Sequence, residues 1–158
     1  MRLKKSEYYG LGLNVLLTSI YVWYLFRTLW MAPAHTLLSA GGDGTKNYYT
    51  YLYHIMFGKG WHFDGMNYPW GEHISFTDNQ PIIANAVKLL SNFIPELYCQ
   101  LPIIHNLLLL LGLVFGGLGI FLCFRRLKVE FYFALVCGAG LMLLNPQLNR
   151  ISAHFSMF

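Results

Sequence analysis

Long apolar runs alternate with one polar, aromatic stretch along this chain, and the pattern predicts helices of two kinds. Residues 11–31, 103–124 and 129–146 are almost continuously apolar. A helix of about twenty residues, rising about 1.5 Å per residue, crosses a hydrocarbon core of about 30 Å. These runs are therefore read as three transmembrane spans. The third reaches that length only by including Val129, Glu130 and the Asn145-Pro146 end. Arg27 falls inside the first run but near its end, where a long side chain can snorkel to the headgroups. Trp23, Tyr24 and Trp30 flank it as an interfacial aromatic belt would. Ala32-Pro33-Ala34 resembles a signal-peptide cleavage site. Secretory apolar regions, however, run to about 7–15 residues, and this one is longer and richer in aromatics, which predicts an uncleaved anchor.

The segment 32–102 shows helical periodicity twice. In "GGDGTKNYYTYLYHIMFGKG", Tyr49, Leu52, Tyr53, Met56 and Phe57 recur at i, i+3, i+4, i+7 and i+8, predicting an amphipathic helix. Thr45 is its expected N-cap and Gly58 or Gly60 its stop. After Pro81, the residues Ile83, Ala86, Val87, Leu90 and Ile94 form a second stripe, ended by Pro95. Both apolar stripes are expected to lie on the membrane surface or against the spans. "NYPWGEHISFTDNQP", residues 67–81, joins the two helices as an irregular connector. No repeat or soluble linker divides the chain, so the expected fold is an all-α membrane protein, 1–158 forming one membrane domain with a structured outer loop.

Charge sets the orientation. Arg2, Lys4 and Lys5 precede the first span, and Arg125, Arg126 and Lys128 follow the second; by the positive-inside rule both clusters stay cytoplasmic. Residues 32–102 and the stretch "NPQLNRISAHFSMF" then face outward. Composition agrees: 56% of residues are hydrophobic and only 11% charged, against about a quarter charged in soluble domains. The net charge of +4 has no long basic run behind it, which excludes nucleic acid as a partner. Cys99, Cys123 and Cys137 make neither a disulfide framework nor a zinc spacing.

The candidate chemistry gathers in the outward segments. Asp43, in "GGDG", reads as a turn aspartate or as a general base that its glycines let a substrate approach. Lys46 and His73 lie in the same loop, and Arg150 and His154, four apart, would share a helix face. All four are candidate donors to a lipid phosphate or a sugar. Glu72, His73 and Asp78, with His62 and Asp64, lack an HxxxH or HExxH spacing. Asp43 and Asp78 remain weak candidates for a divalent ion, and Asp78-Asn79 equally suits a cap for the helix at Pro81.

The order of these features, and the stretches "GGDGTKNYYTYLYH", "MNYPWGEHISFTDNQP" and "NPQLNRISAHFS", resemble the N-terminal portion of the GT-C superfamily of multi-pass membrane glycosyltransferases, in its divergent bacterial form. The resemblance implies an integral protein of the bacterial inner membrane and a polyprenyl-phosphate sugar donor used at the outer leaflet. It also implies Asp43 as the base that deprotonates the acceptor, and a lipid phosphate leaving towards Arg150 or His154. The paired acids common in that loop are missing here, since Asp43 has glycine on both sides. The superfamily's many further spans imply that this chain is the front of a larger protein, inactive by itself. The rival reading is a small non-enzymatic membrane subunit whose loop binds a partner or lipid headgroups. A transporter, which would place ionisable groups deep in its spans, fits less well, because Arg27 and His105 lie near span ends.

Overall fold

The computed structural model describes residues 5–33, 35–39, 41–77, 80–144 and 148. Its elements are α1 (Lys5–Leu25), α2 (Arg27–Met31), α3 (Gly42–Phe57), β1 (His62–Phe63), β2 (Glu72–His73), α4 (Pro81–Phe93), α5 (Leu101–Arg126) and α6 (Phe131–Leu143). Short 3-10 turns occupy Ile74–Phe76 and Pro95–Gln100. The described residues are thus mostly helical, with an antiparallel ribbon pairing His62 with His73 and Phe63 with Glu72. Its contacts group into two units, Met1–Ala32 with Leu107–Leu148, and Pro33–Asn106 with Asn149–Phe158.

Among the described residues one helix, Pro95–Arg126 counted with its leading turn, is long and apolar enough to cross a membrane. It contains the expected span 103–124. The expected span 11–31 is not one helix: it begins earlier, at Lys5, and breaks at Phe26, whose φ of −108° and ψ of 29° end α1 before α2 starts. No proline or glycine marks that break, so composition gives no sign of it. The third expected span, 129–146, is the 13-residue α6, about 20 Å long at the usual helical rise. Glu130 caps it, accepting from the Phe133 amide at 3.0 Å, and this fixes the start of the helix inside the predicted run.

In the first unit, α1 packs on α6 along a stripe of small and polar residues. Gly10, Asn14, Thr18 and Val22, each four apart, are buried, while Leu16, Ile20 and Trp23 point outward. α6 buries Ala134, Gly138 and Ala139 together with Leu135 and Met142, and leaves Tyr132, Phe133 and Val136 outside. Gly117 of α5 joins them, its backbone so near Gly138 and Thr18 that a Cβ there would stand 3.0 Å from Gly138 O and Thr18 Oγ1. Asn14 spans the junction by donating to Leu135 O at 3.4 Å.

In the second unit the residues of the two predicted stripes divide between buried, half-buried and exposed positions. α3 buries Asn47, Tyr48, Thr50, Tyr51, His54 and Ile55, whereas the predicted stripe residues Tyr49, Met56 and Phe57 are exposed. α4 buries Ala84, Val87 and Ser91, leaving Leu90 and Ile94 of its predicted stripe outside with Ile82, Leu89 and Phe93. Periodicity located both helices. The exposed stripe residues form the face expected to meet a membrane surface or the spans, while Val87 of the α4 stripe is buried. The expected N-cap Thr45 is displaced: Gly41 occupies the N-cap, and Thr45 lies within the helix. Gly58 stops the helix, as expected.

Candidate functional site

Gly42, at φ +54°, turns the chain into α3 in a conformation that favours glycine. Asp43 follows in the first turn. There the unpaired amides and the positive end of the helix dipole lie close to the side chain. Its side chain is 55% exposed and meets Lys46 Nζ at 3.8 Å, one turn on. Asp43 therefore stands at the surface, with a cation beside it.

Behind this exposed turn, α3 is fixed by a buried polar cluster. The Tyr48 hydroxyl donates to Asn106 Oδ1 and accepts from the Leu38 amide at 3.0 Å. Asn106 Nδ2 in turn donates to Thr36 O at 3.0 Å. One hydroxyl and one amide thus tie the segment before α3 to the first turns of α5. The His105 ring lies edge-on to Tyr48, with centroids 5.0 Å apart, and tilted over Tyr51 at 4.3 Å. Burial pushes the Tyr48 phenol up to about 12, the Leu38 hydrogen bond offsetting part of the effect. Burial raises Tyr51 as well. Both tyrosines are neutral at physiological pH; Tyr48 serves as a hydrogen-bonding group and Tyr51 as a packing group, and neither acts as a base.

The far end of α3 is held from α4. Lys88 Nζ donates to His54 O at 3.1 Å and also to Gly58 O. A cation placed on the last carbonyls of a helix satisfies unpaired acceptors and opposes the negative end of the dipole. His54 Nε2 lies 3.2 Å from Asn85 Oδ1, and the Asn85 amide is oriented by its own donation to Pro81 O at 2.9 Å. The His54 proton therefore sits on Nε2. Burial lowers the His54 pKa below its ordinary 6.5; the Asn85 bond opposes this, the nearby Lys88 charge adds to it, and Asp64 counters it. Burial also lowers Lys88, again countered by Asp64.

A pH dependence follows from the sign of the His54 shift. Folding lowers its pKa, so the unfolded chain binds that proton more readily. Stability from the neutral ring is complete above 6.5 and is lost as pH falls below it. Melting of the purified protein should therefore move to lower temperature between pH 7.5 and 5, and His54→Gln should flatten that slope. An equal slope in the variant would assign the acid sensitivity elsewhere.

His73 belongs to the ribbon and not to the Asp43 turn. Its ring lies parallel to Trp61, 4° apart in plane with centroids 5.9 Å apart, and its Nδ1 accepts from the Ser75 amide at 3.3 Å. Arg150, His154 and Asp78 lie outside the described residues. Among the described residues, no group of three His, Cys, Asp or Glu side chains could hold a metal ion. The first unit has its own apolar cavity of about 220 Å³, lined by residues that include Ser19, Val22, Trp30, Leu110 and Val114.

The polar cluster behind α3 was not anticipated from the sequence. Its signal is nevertheless present: Asn47, Thr50 and His54 recur at i, i+3 and i+7 along the face opposite the apolar stripe. Residues 15–158 match the model of a family described as a domain of unknown function, DUF6311. The chain belongs to the DUF6311 family. No curated protein and no solved structure matches it. In this DUF6311 chain the matched span takes in the Asp43 turn, the ribbon and the polar cluster alike.

Proposed function

We propose that the chain is the membrane-embedded front part of a GT-C-like glycosyltransferase, which moves a sugar from a polyprenyl-phosphate donor at the outer leaflet to an external acceptor. The observation that carries this reading is Asp43. Its carboxylate is exposed on the first turn of a helix whose rear face is fixed by Tyr48, Tyr51 and His54. In this reading the Asp43 carboxylate takes the proton of an acceptor hydroxyl, and that oxygen forms a bond to the sugar's anomeric carbon. The bond from that carbon to the phosphate oxygen breaks, and the lipid phosphate leaves with its charge met by Lys46, Arg150 and His154. His73 takes part in holding the sugar.

The small and polar residues packed between α1, α5 and α6 support a lipid environment for the first unit. In hydrocarbon a helix gains nothing by hiding leucine, whereas small and polar residues pack and hydrogen-bond between helices. Gly10, Asn14, Thr18, Gly117 and Gly138 do this in the first unit. We therefore assign spans at 11–31, 103–124 and 129–146, with the α1 break near the end of the first. The N-terminus is cytoplasmic and residues 32–102 extracytoplasmic.

The test is a transfer assay on membranes containing the protein as its gene encodes it, with radiolabelled polyprenyl-phosphate hexoses and pentoses as donors. Label should pass into an acceptor as free polyprenyl phosphate accumulates. If every donor stays intact while the protein is folded and abundant, the reading fails and a non-enzymatic membrane subunit takes its place.

A further inference from the structure

Residues 61–76 form a rigid frame that holds several rings out of the fold. The two paired strands are extended by Ile74 N donating to Trp61 O at 2.9 Å, and the turn is closed by Trp70 N and Gly71 N, each 3.0 Å from Asn67 O. Asn67 Nδ2 reaches across to Glu72 Oε2 at 2.6 Å. Gly71, at φ +66°, packs so tightly that a Cβ would stand 2.7 Å from His62 Nε2 and 2.8 Å from Phe63 O. Phe63 and Ile74 are fully buried and anchor the ribbon, Phe63 lying edge-on to Tyr53 with centroids 5.4 Å apart. Against this frame Tyr68 is 92% exposed, Trp70 85%, Phe76 79% and Trp61 51%. These rings project from a hydrogen-bonded ribbon and its closed turn.

The charges around the rings select the partner. Residues 60–87 contain Asp64, Glu72 and Asp78 but no lysine or arginine. Of the flanking cations, Lys88 is engaged on the α3 carbonyls, and Lys59 stands at the base of the ribbon, its backbone paired with His62, one cation against the two ribbon carboxylates Asp64 and Glu72. Anionic headgroups and nucleic acids need cations to pair with, and carboxylates would repel both. A neutral polyhydroxylated ring meets no such penalty. Its C–H faces pack on indole and phenol rings, while carboxylates and amides accept from and donate to its hydroxyls. Glu72 and Asp64 supply acceptors and Asn67 an amide. His73, with Nδ1 accepting from Ser75, carries its proton on Nε2 and adds a donor. We infer that the ribbon is a binding site for a neutral pyranose, with Trp70 as its stacking surface and Glu72 as its principal hydroxyl acceptor. The site shares His73 with the proposed transfer and so rests in part on that reading, but sugar binding here is measured without any transfer by Asp43.

Saturation-transfer difference NMR tests this on the protein, as its gene encodes it, in phosphatidylcholine nanodiscs, with maltose, cellobiose and diacetylchitobiose as probes. At least one disaccharide should receive saturation on its ring C–H protons. Trp70→Ala should weaken its binding about tenfold, the loss expected for one stacking contact, and Glu72→Gln should weaken it without altering the melting temperature. No saturation of any of the three probes, or unchanged binding by Trp70→Ala, overturns the inference. Quenching by brominated phosphatidylcholine that Trp70→Phe abolishes would overturn it as well, by placing the ring in the bilayer.

Discussion

Gly138→Val should destabilise the protein by about 3 kcal/mol, near the upper end of the usual cost of overpacking. The reason lies in what surrounds the missing side chain. A Cβ on Gly138 would stand 2.9 Å from Phe121 Cβ and 3.1 Å from Gly117 O, and closer still to the Asn14 amide nitrogen. Only Asn14 could yield, and yielding would break its bond to Leu135 O. The others are backbone, or side-chain atoms one bond from it, in helices already in contact, so α6 itself would have to move. For a chain of this size, about 1 kcal/mol shifts the melting temperature by about 2–4 °C, and the expected drop is therefore about 6–12 °C. Gly140 is the control, since nothing lies within 4 Å of its Cβ position. Gly140→Val should melt within a few degrees of the wild type. Equal losses at the two positions would show that the effect is helix propensity rather than close packing.

Asp43→Asn should lower the rate of sugar transfer by about 10²–10⁴-fold, the usual contribution of a positioned general base. The same change should leave the melting temperature almost unmoved. Asp43 is 55% exposed and its ion pair with Lys46 spans 3.8 Å, and a pair of that kind contributes about 0–1 kcal/mol. Asparagine keeps the shape of the turn and removes the proton acceptor. A rate loss without a stability loss therefore separates a catalytic carboxylate from a structural one. Lys46→Met should act differently, raising KM for the lipid-linked donor more than it lowers kcat, because in the proposed reading the cation meets the phosphate in the ground state as well. If Asp43→Asn transfers sugar at the wild-type rate, Asp43 is a turn residue and nothing more.

The sequence resolved where the helices lie better than how they are turned. Pro81 opens α4 and Gly58 stops α3, because proline at a first helical position and glycine at a C-cap leave local signatures. α5 encloses its predicted run because an unbroken apolar stretch admits few other structures. Which face of α3 and α4 the chain itself buries was less legible: periodicity shows that two faces differ, but the surrounding solvent decides which one is buried. Tyr49, Met56 and Phe57 form a true stripe, and it is the outer one. The break at Phe26 had no proline or glycine to announce it, and pairing between strands of two residues each lies below what alternation can reveal.

The candidate site was legible in part. Asp43 was singled out by its glycines, and the structure places it on an exposed helical first turn beside Lys46. The cluster that holds this turn was missed, because Tyr48 and Asn106 lie far apart in sequence and meet only through tertiary packing. His73 was grouped with Asp43 by proximity along the chain, whereas its ring partners are Trp61 and Phe76.

Sidedness tests the central claim most directly, and the chain carries its own probe. Cys99 is exposed and lies within the segment assigned to the outer face. In a Cys123→Ser, Cys137→Ser background, a membrane-impermeant maleimide added to intact spheroplasts should label Cys99. A cysteine placed by Lys128→Cys, with Cys99 also changed to serine, should react only after the membrane is permeabilised. Labelling of both positions from outside, or of Cys99 only after permeabilisation, would contradict the assigned topology and remove Asp43 from the face where a polyprenyl-linked sugar would be used.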